Sequence, residues 1–203
     1  MQKDIKNTFT FKPVFIVPQY RRRLHSYRLG TLGNSSAPTC SEHVARVNCK
    51  FKHVRIYSSF EKAASDVITG YIDAFMVPAA YPQVALFIHS AELSLWAAFV
   101  ARIPPLVVAG TLEQMPTDVG IVYHHAAIAS MLPEIGCHFT KATTVESNVA
   151  ACHAVIDDVG KSVCVTNKLA ADKLNLHIYS ILRPGVPMPF LIFGAAKSTH
   201  SNN

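Results

Sequence analysis

The sequence predicts an α/β fold with mixed, mainly parallel sheets, and three observations support this prediction. Segments typical of strands and of helices alternate along the chain from Tyr27 onward, with short loops between them. Residues 72–77 are almost entirely apolar, which is typical of a parallel strand that is buried on both faces. Hydroxyl-bearing residues stand where several helices would begin, as N-caps do. This alternation is the pattern of sheets whose strands are joined through helices.

The elements follow one another in a regular order. Strands are predicted at residues 27–32, 51–57, 72–77, 119–123, 137–142, 161–166, 177–182 and 190–193, with a second apolar region at 93–109. Helices are predicted after a cap at Thr39 or Ser41, after the serine pair 58–59, and at 125–132, 145–159 and 167–174. Residues 1–26 show little periodicity and are interpreted as an N-terminal extension, and residues 198–203 as a tail.

Composition excludes several classes of protein. The 203 residues are 50% hydrophobic and 16% charged, so the chain is not a disordered polyelectrolyte and is long enough for a real core. Its apolar runs stop well short of the roughly 20 residues that span a bilayer. The first residues lack the apolar segment of a secretory signal. We therefore expect a cytoplasmic protein that has no membrane partner.

The net charge of +6 favours an anionic partner. Its densest cluster is the triple arginine at 21–23, which has no interleaved aromatic residues and belongs to no nucleic-acid motif. A small anionic cyclic acid is therefore favoured over nucleic acid, and a homodimer is left open. Five cysteines without a Cys-x-x-Cys pair, and ten scattered histidines, indicate neither a disulfide framework nor a metal site. Nucleotide and flavin motifs are absent too, so no cofactor is implied.

Candidate site residues lie in five loops that lead from strands to helices. Ligands of α/β sheets bind beyond the carboxyl ends of strands, near helix N-termini that attract anions. These loops are 33–42, 78–83, 123–125, 143–148 and 187–190. The first and fourth are rich in hydroxyls, which either cap a helix or bind a carboxylate.

Three side-chain types stand out in or near these loops. One imidazole of the pair His124-His125 is a candidate proton donor, and because adjacent residues point apart, at most one of them faces a ligand. Tyr81 is either a second donor or a ring that closes the edge of the core. Arg102 stands in an apolar context and needs a carboxylate, from the protein or from a ligand.

The same loops, in the same order, resemble the motifs of the prephenate dehydratase family. Its Thr-x-Ser-Glu resembles residues 39–42, here after a two-residue insertion, and its Val-Pro-Ile-Glu-Asn resembles Val-Pro-Ala-Ala-Tyr at 77–81. Its Ser-His-Pro resembles Tyr-His-His at 123–125, and its hydroxyl-rich helix start resembles 143–148. The resemblance covers about residues 28–197. It implies two lobes of the type II periplasmic-binding kind: lobe one at about 27–103 plus 178–197, and lobe two at about 104–177.

One departure from this family concerns its chemistry. The Thr-Arg pair that supplies the hydroxyl and the cation of dehydration is replaced by Met188 and Pro189. Prephenate decarboxylases of secondary metabolism, of the bacilysin-pathway type, resemble this chain further. They share Val-Pro-x-Ala-Tyr, a Thr-Asn-x-Leu-Ala segment like residues 166–170, and a closing strand that begins Pro-Met.

The resemblance implies a lyase that decarboxylates prephenate, or a close cyclic acid, without aromatising it, in natural-product biosynthesis. The residues that it implies are His124 or Tyr81 as proton donor and, for substrate binding, Thr39, Ser41, Arg102, His125, Ser147, Asn148 and Met188. One alternative is an enzyme of the same descent that acts on another ring acid, as in tropone-type (tropodithietic acid-like) biosynthesis. Another is a non-catalytic binder of a small acid.

Overall fold

The computed structural model of the chain describes residues 13–16, 24–158 and 160–196. The arginine cluster 21–23 and the tail 198–203 lie outside the described residues. The strands are β1 (Pro13–Ile16), β2 (Arg28–Leu32), β3 (His53–Tyr57), β4 (Ala74–Pro78), β5 (Leu93–Arg102), β6 (Leu106–Gly110), β7 (Asp118–His125), β8 (His138–Val145), β9 (Ser162–Asn167), β10 (His177–Arg183) and β11 (Pro187–Ala195). The helices are α1 (Cys40–His43), α2 (Phe60–Ile68), α3 (Val84–Ile88), α4 (Asn148–Asp157) and α5 (Lys168–Lys173).

The strands form two mixed sheets, one in each lobe, and this confirms the predicted α/β fold class. The sheet of lobe one has the order β1-β5-β11-β4-β2-β3, and that of lobe two has the order β10-β6-β9-β7-β8. Strands β2, β3 and β4 run parallel, as do β7, β8 and β9. The remaining pairs of described strands are antiparallel, so parallel pairs are not the majority that we expected. Two of these antiparallel pairs lie where the chain crosses between the lobes: β5 leaves lobe one and β11 returns to it, whereas β6 enters lobe two and β10 leaves it.

Two boundaries differ from the sequence-based prediction. Strand β10 pairs with β6, so lobe two extends through Arg183 and the chain re-enters lobe one at β11 instead of near residue 178. The N-terminal extension also contributes to lobe one. Strand β1 pairs with β5, with Ile16 opposite Ala97, and the side chain of Leu24 is buried. Without β1, strand β5 would present an unpaired edge.

Two helices also differ from their prediction. The segment expected as a helix at 125–132 is a 3-10 helix, Ala126–Glu134, with Pro133 inside it. The helix expected from residue 145 begins at Asn148, because β8 continues in register with β7 as far as the pair His125–Val145. Ser147 then caps α4 by accepting a hydrogen bond from the amide of Ala150 at 3.0 Å.

Each lobe has an apolar core that holds its sheet against its helices. In lobe one, Phe99 stacks on Phe190 with ring centroids 5.6 Å apart, and α2 buries one face, as an amphipathic helix does. In lobe two, α4 buries Val149, Cys152 and Val155. Within the described part of the chain, no helix is both long and apolar enough to cross a membrane.

Candidate functional site

A cleft of about 730 Å³ lies between the lobes, where parallel strands of both sheets end. The last residues of β2, β4, β7 and β8 line it, and these are Leu32, Pro78, His125 and Val145. The carboxyl ends of parallel strands are where α/β proteins bind ligands. The position of the cleft therefore follows from the topology of the two sheets.

The structure brings most of the candidate residues together in this cleft. Those that line it are Thr39, Ser41, Tyr81, His125, Ser147, Asn148 and Met188. His124 and Arg102 are not among the lining residues.

The two adjacent histidines have different positions. The ring of His124 is 3% exposed, and its Nδ1 donates a hydrogen bond to the backbone oxygen of His125 at 3.0 Å. His125 reaches the cleft, and its Nδ1 accepts a hydrogen bond from the amide of Ala127 at 3.3 Å. Because Nδ1 of His125 is an acceptor, the proton of the neutral ring lies on Nε2. Burial, and secondarily the charge of His124, lower the pKa of His125 below its ordinary value, so the ring is neutral near pH 7.

Tyr81 lies in the cleft wall with its hydroxyl already engaged. This hydroxyl donates to a carboxylate oxygen of Glu61 at 2.6 Å, and the ring packs edge-on against Phe60 with centroids 4.8 Å apart. Burial, and then the Glu61 carboxylate, raise the pKa of Tyr81 well above its ordinary value. Tyr81 is therefore a weaker acid than an ordinary tyrosine.

The hydroxyls of the first loop differ in what they can offer a ligand. Thr39 donates its hydroxyl proton to the carbonyl of Leu32 at 2.7 Å and caps α1 by accepting from the amide of Glu42 at 3.1 Å. Its proton is thus committed to the fold. Ser41 is 5% exposed and also lines the cleft.

The same loop is attached to lobe two. Ser36 Oγ and His153 Nε2 lie 2.7 Å apart, and Asn167 donates to the carbonyl of Pro38 at 3.3 Å. Ala37 is packed into the core of lobe two. These contacts restrict movement between the lobes on this side of the cleft.

Cys40 and Asn148 face each other across the lobes. Nδ2 of Asn148 lies 3.6 Å from Sγ of Cys40, and burial raises the pKa of this thiol to about 12, so it remains protonated. Oδ1 of Asn148 is buried without a hydrogen-bond partner in the described part of the chain. An unpartnered buried acceptor costs about 1–3 kcal/mol. A ligand that donates a hydrogen bond to Oδ1 of Asn148 would therefore remove this cost and stabilise the folded protein.

Arg102 is held away from the cleft. Its Nη1 donates to the carbonyl of Gly185 at 2.7 Å, in the segment where the chain crosses back to lobe one. Gly185 has a φ of +125°, which favours glycine over every other residue. A backbone carbonyl is thus one partner of this guanidinium, and a carboxylate partner stays a prediction.

Sequence reasoning missed Lys62. It lines the cleft near the start of α2, together with Ser58, Ser59 and Phe60. The signal was present, because residues 58–59 form a sixth loop between a strand and a helix, directly after β3. Among the described residues, no group of three His, Cys, Asp or Glu side chains is placed to hold a metal ion.

One wall of the cleft is apolar. It consists of Met188 and Phe190 on β11, with Leu106 and the crossing residues Ile103 and Val186 beside them. Pro189 lies between Met188 and Phe190 but does not line the cleft, and its carbonyl accepts a hydrogen bond from the amide of Ala79 at 2.9 Å. This wall offers a ligand neither a hydroxyl nor a positive charge.

Two mixed sheets with a cleft between them define the two-lobed fold of type II periplasmic binding proteins, as comparison with solved structures shows. The fold is also like that of prephenate dehydratase. Some proteins of this fold are periplasmic, so the cytoplasmic location stays a prediction.

Three solved structures illustrate the likeness. Prephenate dehydratase from Arthrobacter aurescens, in complex with L-Phe, has a TM-score of 0.64 at 16% identity, over 86% of this chain and 62% of that chain. GqqA, described as a novel type of quorum quenching acylase, has a TM-score of 0.59 at 16% identity, over 84% of this chain and 65% of that chain. The methionine binding protein MetQ has a TM-score of 0.55 at 12% identity, over 87% of this chain and 85% of that chain.

At these identities the likeness extends to the fold alone. The chain spans less than two thirds of the length of the dehydratase and of the acylase. No protein-family profile matches the sequence, and no curated protein matches it.

Proposed function

We propose that the protein is a lyase that decarboxylates prephenate, or a close cyclic carboxylic acid, without aromatising the ring, in natural-product biosynthesis. The observation that carries this proposal is the apolar wall at Met188. In the sequence resemblance to prephenate dehydratases, Met188 and Pro189 correspond to the residues that supply the dehydrating hydroxyl and cation, and neither of these two side chains can supply them.

The proposed reaction breaks one carbon–carbon bond and forms one carbon–hydrogen bond. The bond between the ring and its carboxylate breaks, CO2 leaves, and the electron pair moves into the ring diene. A proton then bonds to a ring carbon, and the 4-hydroxyl stays in place. The product is a non-aromatic dihydro-4-hydroxyphenylpyruvate. Loss of hydroxide would need a proton donor or a cation at the leaving oxygen, and the apolar wall has neither.

The wall also favours loss of the carboxylate. A carboxylate beside apolar side chains loses its hydration without gaining a partner, and this raises its free energy relative to neutral CO2. Met188 and Phe190 provide such surroundings. The reaction is favoured because the free energy of the bound substrate is raised, and this needs no group that acts on the leaving oxygen.

The proton route that we propose runs through His125. Nε2 is the ring nitrogen that a ligand in the cleft can meet, because Nδ1 of the neutral ring accepts from the amide of Ala127. The acid in this step is the imidazolium, which the ring forms by taking a proton from solvent; it gives its Nε2 proton to the ring carbon and returns to the neutral form. The buried His124 has a structural role in this proposal, because its ring donates to the backbone carbonyl of His125. Tyr81 is a weaker candidate for the donor, because its hydroxyl already donates to Glu61.

Two other functions remain as candidates, each with its own observation. The likeness to MetQ, which extends over 85% of that chain, favours a non-catalytic binder of a small acid. The first loop, whose insertion relative to the family docks on lobe two, favours an enzyme that acts on a different ring acid.

The test is to incubate the purified protein with prephenate near pH 8 and to separate the products by chromatography. We expect one molecule of CO2 and one of the dihydro product for each prephenate consumed, above a control without protein. Phenylpyruvate as the main product would contradict the proposal. Binding by calorimetry without turnover would support the binder, and neither binding nor turnover would favour another ring acid.

A further inference from the structure

The charges that line the cleft are few. Lys62 of lobe one is the one lysine or arginine among the described lining residues, and Glu146 of lobe two is the one aspartate or glutamate. His125 is neutral near pH 7 for the reason given above. The cleft therefore offers a single permanent positive charge to an anionic ligand.

The side chain of Lys62 is exposed to solvent in the cleft, and its ammonium takes part in none of the ion pairs of the described residues. Its Nζ donates to Ser58 Oγ at 3.0 Å, and its backbone amide donates to the capping hydroxyl of Ser59 at 3.3 Å. The ion pairs within the described residues join other groups: Arg28 with Asp73, Arg46 with Glu42, Lys168 with Asp172 and Arg183 with Glu134. No carboxylate of the described residues therefore competes with a ligand for the ammonium of Lys62.

We infer that Lys62 determines the anion specificity of the cleft: its ammonium binds one ligand carboxylate, and a second carboxylate meets no permanent cation there. Charge-assisted hydrogen bonds to a carboxylate are the strong ones in proteins. Ser58 accepts one hydrogen bond from the ammonium and so directs it along this side of the cleft.

The contact between Lys62 and a carboxylate also orients the substrate, and this part of the inference rests on the proposed function. Prephenate carries two carboxylates, one on its pyruvyl chain and one on its ring. The pyruvyl carboxylate, which is retained, binds Lys62. The ring carboxylate, which is lost as CO2, is left without a cation, as decarboxylation by desolvation requires.

The experiment measures how Lys62 couples to a ligand carboxylate. The probes are 4-hydroxyphenylpyruvate, which has one carboxylate, and 4-hydroxyphenylacetone, in which a methyl group replaces that carboxylate. Their dissociation constants are measured by calorimetry for the natural protein, for Lys62→Met and for Lys62→Arg. Lys168→Met is the matched control, because Lys168 pairs with Asp172 on α5 and does not line the cleft.

We expect Lys62→Met to weaken binding of the acid about 10-fold or more and binding of the ketone less than about 2-fold. Lys62→Arg keeps most of the affinity, and Lys168→Met changes neither probe. Equal weakening of both probes by Lys62→Met, or no weakening of the acid, would overturn the inference. So would a natural protein that binds acid and ketone equally or binds neither. If the coupling is found and prephenate is not turned over, the inference stands and the proposed decarboxylation fails.

Discussion

Replacing His124 and His125 one at a time separates a buried structural ring from one that faces the cleft. His124→Ala removes a side chain that is 3% exposed and leaves the carbonyl of His125 without its donor. The unpaired carbonyl and the cavity together cost about 2–4 kcal/mol. For a chain of this length, the melting temperature then falls by about 4–16 °C.

His125→Asn is the matched change at the next position. An asparagine oxygen can accept the hydrogen bond from the amide of Ala127 and so keeps the cap, and we expect a change in stability below about 1 kcal/mol. The same change removes the proton donor from the cleft. It should lower kcat for prephenate by about 10²–10⁴-fold.

The assay combines thermal unfolding, followed by circular dichroism, with turnover measured at a temperature where both variants are folded. We expect His124→Ala to lose stability and to keep most of its kcat, and His125→Asn to do the opposite. If folded His124→Ala is inactive while His125→Asn turns over normally, the assignment of the proton donor to His125 is refuted.

Three further results are expected. Burial lowers the pKa of His43 and of His125, so the unfolded chain binds more protons than the folded one as the pH falls through about 6.5. The melting temperature should therefore fall from pH 7 to pH 5 and change little between about pH 7 and pH 8, and an unchanged melting temperature from pH 7 to pH 5 would contradict this. Ser36→Ala should lower the free energy of unfolding by about 0.5–1.5 kcal/mol, and adding His153→Ala should lower it little further, because both changes remove the same contact between Ser36 and His153. Additive losses in urea unfolding would show that this contact does not form. Cys40, with its pKa near 12, should react with iodoacetamide at pH 8 at least about 10-fold more slowly in the folded protein than in urea, as peptide mass spectrometry can show; equal rates would mean that the thiol is accessible.

Much of the fold follows from local patterns in the sequence. The alternation of apolar strands with capped helices predicts most of the elements within a few residues, and the rule of carboxyl strand ends predicts the loops that form the cleft. The pairing of β10 with β6, and of β1 with β5, could not be predicted in this way. Such pairings join segments that are distant in the chain, and no local pattern records which edge a strand will meet.

The site shows the same division between local and non-local causes. The sequence predicts that at most one of His124 and His125 faces a ligand, but which one depends on how β7 packs within lobe two. One hydrogen-bond partner of Arg102 is the carbonyl of Gly185, which is 83 residues further along the chain. Lys62 lies after β3, which is a partly exposed edge strand without a continuous apolar run. The pattern of this strand therefore did not indicate that the loop after it belongs to the site.

We propose that the protein removes CO2 from a ring acid in its cleft and leaves the hydroxyl of the ring in place. The most direct measurement is proton NMR of prephenate with the protein, followed in time at a mildly alkaline pH and compared with samples that contain no protein or the His125→Asn variant. We predict that the prephenate signals give way to new non-aromatic olefinic signals and to a retained signal from the carbon that bears the hydroxyl. Growth of aromatic signals in their place, at a rate above that of the control without protein, would contradict the account.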